Sequence, residues 1–237
     1  NSPHLNLQGL HFHLGSPIFE LEPYTQAIDI VLRFAKEMGE EGLILNEFSP
    51  GGGFAIAYTD EDEPPTAADY AEAIVSALRK GCKELDLAEP TLIIEPGRAI
   101  SGPAAVALYT VGTIKEVPGI RTFVAVDGGM GDNIRPALYG SKYEATAPNK
   151  MNIPNTTEVN LAGKYCESGD LLVKDVSLPK LESGDIIAIP SSGAYCLSMS
   201  SNYNMNPRPA VVMLKNGIPR VVRKRETYED LMQWDLS

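Results

Sequence analysis

The chain has 237 residues, of which 43% are apolar, 22% charged and 7% aromatic. That length supports one large or two modest domains with real cores, and that composition excludes wholesale disorder. Acidic residues outnumber basic ones 31 to 20, and the net charge of −11 repels phosphate backbones and argues against a nucleic-acid partner.

In chain order, the first part alternates short apolar runs with helical patterns. Gly9–Gly15 reads as a strand. Pro23 suits the first turn of a helix, and Tyr24, Ile28, Val31, Ala35 and Met38 share one face of it, with Gly39 and Gly42 placed to end it. Leu43–Leu45 is the next strand, closed by Ser49-Pro50-Gly51. Thr66 and Asp69 resemble a capping box for a second helix, with Tyr70, Ile74, Ala77 and Leu78 on its apolar face and Gly81 as its stop. Leu92–Ile94 is a third strand, interrupted by Glu95-Pro96-Gly97-Arg98. Strands apolar on both faces that alternate with helices imply parallel βα units. Three such strands do not close a barrel. Residues 1–103 are therefore expected to be an incomplete set of parallel βα units.

From 104 to 237 the texture turns β-rich. Ala104–Lys115, Thr122–Asp127, Leu171–Val176, Asp185–Pro190, Ala210–Lys215 and Val221–Lys224 read as strands, Lys215-Asn216-Gly217 as a hairpin turn, and Glu226–Gln233 as a closing helix. The expectation is an antiparallel β-barrel or sandwich.

No apolar run approaches the roughly 18 residues of a bilayer span, and Asn1–Asn6 does not read as a signal peptide. Cys82, Cys166 and Cys196 are too few and too scattered for a disulfide framework or a zinc knuckle. This composition fits a soluble protein of a reducing compartment, placed in the cytoplasm, with no membrane partner and no metal.

Three features lie where strands end. His11 and His13, two apart on a strand, share a face; a satisfied structural pair is the blander reading. Gly51-Gly52-Gly53 let backbone amides approach an anion, or simply make a turn. Glu95 and Arg98 flank Pro96-Gly97 at a strand's carboxyl end, where barrel enzymes carry catalytic groups, although an ion pair would look the same.

Taken together, Phe12-His13-Leu14-Gly15-Ser16, Gly51-Gly52-Gly53 and Glu95-Pro96-Gly97-Arg98 resemble the last barrel-strand motifs of the pyridoxal-phosphate decarboxylases of the alanine-racemase-like fold. Asp127-Gly128-Gly129-Met130, Asp132, Arg135-Pro136, Leu138-Tyr139, Cys166-Glu167-Ser168, Asp170 and Gly193-Ala194-Tyr195 narrow the resemblance to the diaminopimelate decarboxylases. Asn202-Tyr203-Asn204 and Arg208-Pro209 add to it.

The resemblance implies that residues 1–103 are the C-terminal strands and helices of a (β/α)8 barrel, entered mid-barrel, and that the cofactor is pyridoxal phosphate. His13 would lie against its ring. Ser16, Gly51, Gly52, Gly53, Gly97 and the Arg98 backbone would hold its phosphate, with Pro96 in the same turn, and Glu95 would pair with its ring nitrogen. The implied reaction is decarboxylation of meso-2,6-diaminopimelate to L-lysine. Arg98, Arg135 and Tyr139 would take substrate carboxylates, Glu167 the distal ammonium, and Tyr195 would approach phosphate and substrate. Cys166 would return the proton after decarboxylation; it must be held as a thiol, and adjacent Glu167 disfavours the thiolate. The family works as a homodimer with the site shared across its interface. Pro17 and Asn46–Pro50 depart from its usual pattern. No motif here matches the family's cofactor lysine, and Lys36 lies on the polar side of its helix. The sequence is therefore expected to be part of a complete decarboxylase. A lysine-less, non-catalytic remnant that only dimerises is the alternative, as is a related enzyme for D-amino acids or carboxylated polyamines.

Overall fold

The computed structural model describes residues 4–236. The chain divides into two compact units, residues 1–102 and 103–237. Among the described residues no helix is long and apolar enough to cross a membrane.

The first unit is built on a parallel sheet of three short strands, β1 (Gly9–His11), β2 (Glu47–Ser49) and β3 (Thr91–Leu92), in the order β1-β2-β3. All three differ from the sequence reading. β1 stops at His11, so His13 lies in the loop beyond it. The middle strand is not Leu43–Leu45 but Glu47–Ser49: Phe48, fully buried, points into the helices, whereas Ile44 is exposed. The third strand is shorter than expected and ends before Ile93 and Ile94, which are both exposed. Two long helices follow the first two strands, α1 (Glu22–Gly39) and α2 (Ala67–Glu84). In α1 the buried stripe is Tyr24, Ile28, Leu32 and Ala35, so Leu32 takes the central place expected of Val31. Thr66 and Asp69 do form the capping box of α2. Gly81 does not stop that helix; it lies inside it, where a Cβ would stand 2.5 Å from Leu32 Cδ1. Glycine there lets the two helices approach.

The core between helices and sheet joins Tyr24, Ile28, Leu32, Phe48, Phe54, Tyr70, Ile74, Leu78 and Cys82. Phe54 stacks on Tyr70 with centroids 4.2 Å apart, and Tyr24 meets both edge-on. Each such pair adds about 1 kcal/mol beyond its burial. The hydroxyls matter as much as the rings. Tyr24 donates to Gly52 O at 2.6 Å and Tyr70 to Ile18 O at 2.5 Å, while Ala55 N donates to Tyr70 Oη at 3.0 Å. The core thus holds the loops beyond the strand ends from behind. Burial pushes the Tyr24 hydroxyl up to about 12, keeping it a donor.

The second unit contains a five-stranded sheet, ordered β7-β6-β5-β4-β8, from β4 (Ala107–Val117), β5 (Arg121–Val126), β6 (Thr157–Ala162), β7 (Leu171–Leu178) and β8 (Ile186–Ile189). A separate ribbon pairs β9 (Val211–Lys215) with β10 (Ile218–Arg223). The purely antiparallel expectation is corrected, because β5 and β6 run parallel. A parallel pair needs a crossover of a dozen or more residues. Residues 127–156 make it, and they carry Arg135, Tyr139 and Tyr143. The sequence reading missed β6 because its middle is polar: Asn160 is 1% exposed and donates to Asp175 Oδ1 at 3.1 Å. It also missed α4 (Arg135–Tyr139), a single turn closed by Gly140 at φ 63. Asn216 and Gly217 form the expected hairpin, with φ of 52 and 77. The closing helix α5 is only Tyr228–Met232, with a capping box from Thr227 and Asp230.

Candidate active site

Each unit carries its own cluster of candidate residues. In the first, the loops after β1, β2 and β3 converge. Gly52 bridges to Glu95, and Ile18 N donates to Gly53 O at 2.8 Å. The glycines are required by this approach. A Cβ on Gly52 would stand 2.0 Å from Glu95 O, and one on Gly53, at φ +90, 2.3 Å from Gly15 O. Gly97, by contrast, faces open space.

The side chains of this rim are paired in ways the sequence did not show. Glu95 lies against His11, with Nε2 to Oε1 at 3.3 Å, and both side chains are about half exposed. Gly52 N donates to His13 Nδ1 at 3.4 Å, so the acceptor nitrogen of that ring faces the glycine loop. Arg98 is buried at the start of the short helix α3 (Gly97–Ser101) that follows Pro96. Its Nε and Nη2 donate to Ser16 Oγ at 3.1 and 3.0 Å, and its Nη1 donates to Tyr58 Oη at 2.7 Å. Tyr58 carried no motif and was invisible in the sequence. The structure thus brings His11, His13, Ser16, Gly51–Gly53, Glu95, Pro96, Gly97 and Arg98 to one end of the sheet.

In the second unit, Arg135 is buried, donates from Nη1 to Tyr143 Oη, and lies 5.6 Å from the ring centroids of both Tyr143 and Tyr195. Tyr143 Oη also meets Cys196 Sγ at 3.7 Å. Burial pushes the Tyr143 hydroxyl and the Cys196 thiol up. Tyr139, on the same turn as Arg135, is exposed, as is Tyr195 at φ +66.

Cys166 and Glu167 lie on an exposed loop between β6 and β7. The loop is tied down by Asp170, 3% exposed, which accepts from Met130 N at 2.6 Å and from Tyr165 N at 2.9 Å. One carboxylate therefore joins the residue before Cys166 to the crossover leading to Arg135. A Cβ on Gly163 would stand 2.1 Å from Asp170 Oδ2, so the pocket around this carboxylate admits glycine only. Burial pushes the Asp170 carboxyl up against the two backbone donors that pull it down. Glu167 Oε1 accepts from Tyr203 Oη, and Cys166 Sγ accepts from Asn204 Nδ2 at 3.5 Å. Among the described residues no group of three His, Cys, Asp or Glu side chains is placed to hold a metal ion.

Residues 1–102 match the family model of the pyridoxal-dependent decarboxylases, pyridoxal binding domain. The chain is 46% identical to the diaminopimelate decarboxylase of Bacillus subtilis (strain 168), over 99% of this chain and 54% of that protein. It is 45% identical to that of Synechocystis sp., over 98% of this chain and 50% of the other. A crystal structure of diaminopimelate decarboxylase from M. jannaschii in co-complex with L-lysine superposes with a TM-score of 0.91 at 36% identity, covering 98% of this chain and 52% of that one. The chain thus spans about half the length of the curated relatives it matches.

Proposed function

We propose that this chain, a homologue of the diaminopimelate decarboxylases over 99% of its length, is part of a pyridoxal-phosphate enzyme that decarboxylates meso-2,6-diaminopimelate to L-lysine. That match is the observation that carries the reading. The first unit is then the end of the cofactor-binding (β/α)8 barrel and the second its β-domain. The working enzyme is a cytoplasmic homodimer whose site is shared between subunits.

The donor set of the first unit fits pyridoxal phosphate. A phosphate suits the Ser16 hydroxyl and the amides of the glycine loops, and a pyridine nitrogen suits a carboxylate that already faces an imidazole nitrogen, His11 Nε2, at 3.3 Å. When bound, the cofactor supplies an electron-withdrawing ring that takes up the electron pair left by the departing carboxyl group. Glu95 would keep the ring nitrogen protonated. His13 would face the ring, while Gly51–Gly53, Gly97 and the Arg98 backbone would hold the phosphate beside Ser16. The Arg98 guanidinium grips Ser16 Oγ and so steadies that loop as well as serving a substrate carboxylate.

In the second unit, Arg135 and Tyr139 take the distal carboxylate that a simple diamine lacks. The Tyr143 and Tyr195 rings flank the Arg135 guanidinium, and Tyr195 would serve phosphate and substrate in the complete enzyme. Glu167 takes the distal ammonium. Cys166 gives its Sγ proton to the carbon that has lost its carboxyl group.

The complete enzyme, loaded with cofactor, should release carbon dioxide from meso-diaminopimelate at least about 100-fold faster than from ornithine or lysine, a gap of the size expected when a buried guanidinium lacks its carboxylate. Equal turnover of the three substrates would refute the assignment.

A further inference from the structure

Asn202-Tyr203-Asn204 plays no part in the chemistry above, yet two consecutive residues in it grip the two consecutive residues Cys166 and Glu167. We infer that Tyr203 and Asn204 are positioning residues for the decarboxylation, Tyr203 orienting the Glu167 carboxylate and Asn204 the Cys166 thiol. This rests on the function proposed for Cys166 and Glu167.

The segment is built to hold that position. Ser201 N donates to Gly131 O at 2.9 Å, fastening it to the crossover that carries Arg135. Asn202 Nδ2 donates to Asn206 O at 3.0 Å and to Glu226 Oε2 at 2.6 Å, fixing its other side. The Tyr203 ring stacks on Tyr165, the residue before Cys166, with centroids 5.8 Å apart. Asn204 sits at φ 53, ψ 31, a left-handed conformation that asparagine tolerates better than most residues. It turns the amide toward Cys166 Sγ at 3.5 Å.

The two contacts act on different steps. Tyr203 occupies Oε1 of Glu167 and leaves Oε2 for the substrate's ammonium, so it governs binding. Asn204 acts on proton return. The Cys166 S–H bond breaks, a C–H bond forms at the substrate carbon, and the electron pair stays on sulfur, facing the Asn204 N–H. Cys166 is exposed, so solvent restores its proton.

Two variants in the complete enzyme test this. Tyr203→Phe keeps the ring stack and removes only the hydroxyl. Asn204→Gly removes the amide where a positive φ suits glycine, so the backbone is spared strain. Tyr203→Phe should raise KM for diaminopimelate about 5- to 10-fold with kcat within about 2-fold, and Asn204→Gly should lower kcat about 10-fold with KM within about 2-fold. Backbone amides of 164–168 should exchange with deuterium several-fold faster in both variants, with β6 unchanged. Variants that match a turning-over wild type, or that lose kcat and KM together, overturn this assignment alone. A wild-type enzyme silent on diaminopimelate overturns the proposed function and this assignment with it.

Discussion

In the first unit the loops are placed by backbone against backbone. Gly52 and Gly53 sit where no Cβ fits, and tyrosine hydroxyls from the two helices fasten the loops from the core side. In the second unit the loops are placed by buried charged side chains. Asp170 receives two amides and Arg135 rests between aromatic rings. Close approach of these loops requires residues without a Cβ, which Gly52 and Gly53 supply. Charges at set positions require braced side chains, which Asp170 and Arg135 are. The first cluster is therefore vulnerable to added atoms at Gly52 and Gly53, and the second to lost ones at Asp170 and Arg135.

The largest effect expected is on chemistry in the second unit. Cys166→Ala in the complete enzyme should lower turnover by about 100-fold or more, the usual scale for losing a proton donor, while the cofactor's absorbance stays at full occupancy. Unchanged turnover removes Cys166 from the mechanism; lost absorbance blurs the division between the units. Next comes Gly52→Ala, which should cost about 3 kcal/mol, read as a lower melting temperature, together with lost cofactor. Gly97→Ala, facing open space, should leave the melting temperature almost unmoved. If both alanines melt alike, close packing does not set the first rim. Asp170→Asn should cost about 1–3 kcal/mol in denaturant titrations, because its amide group turns a donor toward Met130 N or Tyr165 N. A neutral outcome would show that the loop of Cys166 needs no carboxylate.

The smallest effect is one of pH. Arg208 and its neighbours pull the Glu226 carboxyl from its ordinary 4.5 down to about 2. A lowered carboxyl stabilises the fold above its unfolded value, so this contribution is present above about pH 4.5 and fades as pH falls toward 2. Wild type should lose melting temperature between pH 5 and 3 more steeply than Glu226→Gln; parallel curves would assign no such role to this carboxylate. Asp170, pushed up by burial, contributes with the opposite sign: its share is present below the unfolded value and is lost as pH rises through the folded one.

Several things were legible in the residues themselves. The faces of α1 and α2 follow from 3.6-residue periodicity, the cap of α2 from Thr66 and Asp69, and the Asn216-Gly217 turn from the backbone that those residues favour. The ordered motifs from His13 to Tyr195 pointed to the decarboxylases because each is a local string. Tertiary structure decided the rest. β2 moved from Leu43–Leu45 to Glu47–Ser49 because burial of Phe48 outweighs a local apolar run. β6 formed around a buried asparagine that finds its partner only across the sheet. Tyr58 beside Arg98, Tyr143 beside Arg135, and Asn204 beside Cys166 lie 40, 8 and 38 residues from their partners. Periodicity and short motifs describe what a residue does with near neighbours, and contacts of this kind exist only once distant loops have been packed together.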